Sequence, residues 1–209
     1  MGLYGLTTFV YQITLWIARL AYLNVLWFVF TLMGLGLLGI FPATAATFAL
    51  VRLWIQDRST PVLRKFWSEY KQNFIKSNKL GWSVVPFFAT GIIVLNWSLG
   101  STSSISLVVT VLAVIGLIVV SFYSLYLFPV LSHYNVDINE VYKYAFYIAA
   151  SYPHYACGII ILWIIMVTGF FYTGFLIFFF ASITALIFMY GSEVVFNKIQ
   201  IKQTRAETV

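Results

Sequence analysis

RLWIQDRSTPVLRKFWSEYKQNFIKSNK, residues 52–79, is the most heavily charged stretch of the chain. It holds seven of the twelve Lys and Arg residues but only two acids, Asp57 and Glu69. Apolar runs long enough to cross a bilayer flank it on both sides. A short loop with a net charge of +5 is expected to stay cytoplasmic. Leu63, Phe66, Trp67, Tyr70 and Phe74 recur at the spacing of one helical face. Arg64, Lys65, Glu69, Lys71 and Lys76 fall elsewhere on the wheel. Residues 61–79 therefore read as a cytoplasmic amphipathic helix, capped by Ser59 or Thr60, with Pro61 at its first position.

Composition says what surrounds that helix. The chain is 62% hydrophobic and 9% charged, against roughly 25% charged residues in soluble domains. So much apolar surface requires lipid as the solvent. The apolar runs are unbroken and lack the alternation of a membrane barrel. The fold class is therefore all-α: a polytopic membrane helical bundle of about six spans, in a single domain over residues 1–209.

The spans are expected at 20–38, 39–55, 80–99, 105–131, 155–171 and 175–196. Arg19 sets the start of the first. A guanidinium deep in lipid costs about 2.5–3.5 kcal/mol on insertion scales. Residues 1–19 are accordingly read as an N-terminal interfacial segment, with one long tilted helix and a snorkelling Arg19 as the alternative. Gly39 and Pro42 are expected to open the second helix, whose Ala43 to Thr47 are small enough for close helix packing. Asp137 and Glu140, spaced as an N-cap and its partner, start a second amphipathic helix over 137–152. Residues 197–209 form a cytoplasmic tail. The turns near 35–41, 99–104 and 171–174 carry no charge and are assigned to the outer face, which leaves both termini cytoplasmic. Each half places an amphipathic helix directly before a span, a topological echo without convincing sequence identity.

Chemistry-bearing patterns are sparse. Gly34, Gly36 and Gly39 match G-x-G-x-x-G, but no strand precedes them and no acid follows at the required distance. The chain has no Walker lysine motif and no serine elbow. His133 and His154 lack ligand spacing, and a lone Cys157 in an apolar run reads as a packing residue. The basic excess sits at predicted membrane edges, which argues for orientation and lipid contact rather than nucleic acid. No cleavable signal is apparent at the start, and Leu6 stands where a myristoylation motif needs Ser or Thr. Neither a catalytic site nor a cofactor nor a metal is expected. Polar residues in the apolar runs are Gln12, Asn24, Asn96 and Glu193. Glu193 is expected in an inner-rim ion pair with Arg19 or Arg52.

The segment GIFPATAATFALVRLWIQ, from Gly39 to Gln56, with FWSEYKQNFIKSNKLG, from Phe66 to Gly81, resembles the YesL-like family of bacterial membrane proteins. The residues that carry the resemblance are Gly39, Pro42, Ala43, Ala46, Arg52, Lys71, Asn73 and Phe74. The family was long catalogued as a domain of unknown function, and the resemblance transfers no catalytic residue. It implies a bacterial plasma-membrane protein encoded beside genes for oligosaccharide import and breakdown. The expected function is an accessory, non-enzymatic subunit associated with an ABC-type oligosaccharide importer. The alternatives are a self-contained small-solute transporter and a structural or regulatory protein that binds anionic lipid. Expected partners are the bilayer, ABC permease subunits and a second copy of the chain. Arg64, Lys65, Trp67, Lys71, Asn73 and Phe74 are the candidate partner or lipid contacts. Gly39, Pro42, Ala43, Ala46 and Arg52 form the candidate structural motif, and Arg19 with Glu193 the candidate ion pair.

Overall fold

A computed structural model describes residues 2–207 except Ser59, Thr102, Asn135 and Phe175; of the helical residues, the side chains of 2–6, 104, 176–177 and 202–207 are not described. Eight helices follow one another: α1 (Gly2–Met33), α2 (Leu37–Ile55), α3 (Val62–Gln72), α4 (Phe74–Leu99), α5 (Ser104–His133), α6 (Ile138–Ser151), α7 (Pro153–Thr173) and α8 (Leu176–Glu207). Six of them, all but α3 and α6, are long and apolar enough to cross a membrane. The protein is a multi-pass helical bundle, as composition requires.

Helix α2 is the centre. It packs on α1, α3, α4, α5 and α8. Its small residues make this possible: Gly39, Ala43, Ala45, Ala46 and Thr47 are all buried. In lipid, helices gain little from hiding apolar surface, so close backbone approach and shared hydrogen bonds hold them together. At Gly39 a Cβ would stand 2.3 Å from the Thr31 carbonyl oxygen. One turn on, Trp27 Nε1 donates to Thr44 Oγ1 at 3.0 Å. The α7–α8 hairpin repeats the device, with Trp163 Nε1 donating to Thr184 Oγ1 at 3.0 Å. Asn24 of α1 accepts from the Ala181 backbone N–H of α8 at 3.0 Å, which places a polar side chain of the span on a neighbouring helix.

Proline positions create demands that neighbours meet. Pro42 lies inside α2 and has no N–H, so the Leu38 carbonyl lacks its helical donor. Asn78 of α4 supplies one, with Nδ2 3.0 Å from that oxygen. An unpaired carbonyl in lipid costs free energy, so this bond fixes the start of α4 against α2.

Several sequence expectations are corrected. Helix α1 runs unbroken through Arg19, and the candidate span extends over Thr7–Met33. Residues 2–19 belong to α1, which follows the alternative of one long helix, and Arg19 Cζ lies 5.9 Å from the Trp54 ring centroid. The first turn lies at 34–36, where Leu35 and Gly36 have positive φ, so Gly39 and Pro42 stand inside α2 rather than at its start. The expected helix over 61–79 is two helices. Pro61 is the N-cap of α3, and the chain breaks at Asn73, so Lys76 and Lys79 belong to the spanning helix α4. The proposed Ser59 cap lies outside the described residues. Helix α6 matches its expected limits within a residue, with the Asp137 carbonyl accepting from Glu140 and Val141 N–H. Both amphipathic helices pass into a span through a single residue, Asn73 or Tyr152. The tail continues α8 as helix to Glu207.

One correction concerns topology. Charge counting places the α1–α2 turn and the basic elbow on opposite faces. In the structure they are neighbours. The Tyr70 hydroxyl donates to the Phe30 carbonyl at 3.1 Å, and Asn78 donates to Leu38. Phe30 also packs on Phe66, with ring centroids 4.8 Å apart. With a basic helix beside it, an uncharged turn no longer marks the far face. In a Cys157→Ser background, Leu35→Cys and Lys71→Cys should therefore react with a membrane-impermeant thiol reagent from the same side. Labelling from opposite sides would contradict this packing.

Candidate functional site

Two polar groupings stand out: the elbow helix α3 and a buried cluster around Glu193.

Helix α3 has a buried and an exposed face with Trp67 at the border, its ring centroid 5.5 Å from that of Phe30. Phe66 and Tyr70 are buried. Tyr70 packs on Phe30 at 5.2 Å and on Phe74 at 5.6 Å. Burial raises the Tyr70 phenol above its ordinary pKa, and its hydroxyl donates to the Phe30 carbonyl. Glu69 holds the end of the helix. Its carboxylate takes Lys65 Nζ at 2.7 Å and Asn73 Nδ2 at 2.9 Å. The Asn73 carbonyl in turn accepts from the Ser77 backbone N–H at 2.8 Å and from the Ser77 hydroxyl at 2.7 Å. Asn73 is thus the hinge between α3 and α4, and Phe74 is half-buried against Tyr70. Of the six candidate contact residues, Arg64, Trp67 and Lys71 remain on the outer face. They share one side of the helix at i, i+3 and i+7. Lys71 Nζ sits 4.8 Å from the Trp67 ring centroid, so cation and indole form one surface unit.

The second grouping joins α2, α5 and α8. Glu193 is buried. Its Oε1 lies 3.3 Å from His133 Nδ1, 3.7 Å from Arg52 Nε and 3.3 Å from Gln56 Nε2. Arg52 also donates through Nη1 to the Ser132 carbonyl at 2.6 Å, at the C-terminal end of α5. The neighbouring Tyr134 phenol is raised above its ordinary pKa, by burial first and then by the Glu193 charge. The expected pairing of Glu193 is therefore made with Arg52, while Arg19 is engaged by Trp54. Such an arrangement clamps three helices. Its charges face one another.

Of the candidate structural motif, Gly39, Pro42, Ala43 and Ala46 are buried in α2, and Arg52 lies in its last turn. Sequence reasoning missed His133 and Gln56 as partners of Glu193, and Asn78 as the donor to Leu38. The Pro42 signal points to a freed carbonyl at Leu38, but nothing local in the sequence names its donor. Among the described residues no group of three or more His, Cys, Asp or Glu side chains could hold a metal ion.

These features define a class: a six-span helical membrane protein whose buried polar residues tie helices together and whose exposed polar surface lies on an amphipathic elbow. Residues 20–97 match the family described as "Protein of unknown function, DUF624". The chain is 35% identical over 198 residues to the uncharacterized protein YesL of Bacillus subtilis (strain 168), covering 91% of this chain and 90% of that protein. It is 39% identical over 150 residues to YteU of the same organism, covering 70% of this chain and 66% of YteU. With YesV, also of that organism, identity is 29% over 149 residues, 66% of each. No solved structure matches. The chain belongs to this YesL-like family.

Proposed function

We propose that this protein is an accessory membrane subunit of a bacterial ABC-type oligosaccharide importer, lying in the plasma membrane and performing no catalysis of its own. The observation that carries this reading is the outer face of α3. Phe66 and Tyr70 seal its inner face on Phe30, Trp67 packs at the edge of the same ring, and Arg64, Lys71 and part of Trp67 are exposed. Trp and Arg on a rigid support are the residue types that anchor protein interfaces. The family resemblance supplies the partner class, since YesL-like proteins are encoded beside oligosaccharide import genes.

A self-contained transporter draws less support. Such a protein needs polar groups free to bind solute within the spans. Asn24 is bonded to the Ala181 amide of α8, and Asn96 donates to the Ile92 carbonyl of its own helix at 2.9 Å. The purified protein alone in proteoliposomes should take up no labelled oligosaccharide above protein-free vesicles. Saturable uptake by the protein alone would refute the accessory reading.

A further inference from the structure

Between α1 and α7 a lateral groove of about 640 Å³ opens over a floor made by α2 and α8. Its size falls within the roughly 300–1,000 Å³ of ligand sites. Trp16, Trp54, Ile159, Leu162 and Leu186 make its walls apolar. Gly158 lines it too, and a Cβ built there meets no atom within 4 Å. Two cations lie beside it, Arg19 of α1 and Lys198 of α8, each seated on an aromatic ring that lines the groove. Arg19 Cζ lies 5.9 Å from the centroid of Trp54. Lys198 Nζ lies 4.8 Å from the centroid of Tyr155 and also donates to its hydroxyl. Among the described residues neither cation is in an ion pair. Among the described residues Asp57 is the one acid lining the groove, and the two cations outnumber it.

We propose that this groove holds an acyl chain of an anionic phospholipid, with the lipid phosphate between Arg19 and Lys198. A groove opening sideways from a spanning bundle meets lipid tails, and apolar walls suit a tail. Tails alone do not call for cations. Arg and Lys with apolar stems reach from such a wall to headgroup depth, where anionic phosphate is the available counter-charge. The site is separate from the outer face of α3 and does not depend on the accessory reading.

The test is native mass spectrometry of the full-length protein released from nanodiscs containing phosphatidylglycerol or phosphatidylcholine with identical acyl chains. Wild type should retain phosphatidylglycerol preferentially. Arg19→Gln and Lys198→Gln should each lower that retention about five-fold while leaving phosphatidylcholine retention unchanged. Gly158→Phe should displace the retained lipid with both cations in place, and an unchanged thermal unfolding midpoint in detergent would show that its fold is intact. Equal retention of the two lipids by wild type would overturn the proposal. So would unchanged phosphatidylglycerol retention in the Arg19→Gln/Lys198→Gln double variant or in a folded Gly158→Phe variant.

Discussion

Replacing Glu193 by leucine lowers the stability of the folded protein by about 3 kcal/mol, and adding Arg52→Met to the same chain restores much of the loss. The reason is asymmetry in what each change leaves behind. The Glu193 carboxylate accepts from Gln56, lies 3.3 Å from His133 Nδ1 and forms an ion pair with Arg52. Without it, the Arg52 guanidinium keeps its bond to the Ser132 carbonyl but has lost its counter-charge in a largely apolar surrounding. Breaking a buried pair from one side costs about 3–5 kcal/mol, and the lower end applies because 27% of the Arg52 side-chain surface stays exposed. Removing both leaves no unpaired charge between α2 and α8, though the Ser132 carbonyl loses its Arg52 donor and Gln56 its acceptor, so the recovery is incomplete. Thermal unfolding in mild detergent, followed by size-exclusion recovery, reads both variants. A double variant less stable than Glu193→Leu alone would show that the cluster contributes something other than mutual neutralisation.

The second large effect is at Gly39. Alanine there places a methyl group 2.3 Å from the Thr31 carbonyl oxygen and 2.8 Å from Thr31 Cα. Both are backbone atoms, so no side-chain rotation relieves the clash and α1 must move away from α2. Overpacking costs typically about 1–3 kcal/mol, and a backbone-to-backbone clash belongs at the top of that range. The movement also stretches the Trp27–Thr44 bond on the same interface. Gly116→Ala is the control: a Cβ there meets nothing within 4 Å, and alanine favours helix over glycine by about 1 kcal/mol. The prediction is a marked loss of thermal stability for Gly39→Ala beside no loss for Gly116→Ala. Similar behaviour of the two variants would contradict the tight α1–α2 crossing.

The residues that sequence reading handled well are those whose behaviour is set locally. Unbroken Leu, Ile, Val and Phe runs demand lipid, and six spans follow. Of the apolar face read from the period, Leu63, Phe66, Trp67, Tyr70 and Phe74, the structure buries Phe66 and Tyr70 and leaves Leu63 and Trp67 exposed. Expectations failed where a distant partner decides the outcome. Arg19 is costly in lipid only if nothing receives it, and Trp54 receives it. Asn73 looked like a surface contact because its partner Glu69 and its duty to Ser77 emerge only once the chain turns there. The α1–α2 turn was assigned by its lack of charge, yet its depth is set by Tyr70 and Asn78 reaching the Phe30 and Leu38 carbonyls. Glu193 was recognised as needing a cation at its depth, but two arginines qualified by position and only packing chose Arg52.

The functional reading stands on a surface rather than a catalytic centre, so its test is one of association. The protein is to be isolated in mild detergent from its native membrane, after growth on an oligosaccharide that induces the importer, and its companions identified by mass spectrometry. The account predicts that permease and ATPase subunits of an oligosaccharide importer co-purify with wild type, and that Arg64→Glu with Lys71→Glu reduces their recovery without reducing that of the protein itself. Recovery of the protein free of any importer subunit under inducing conditions would contradict it.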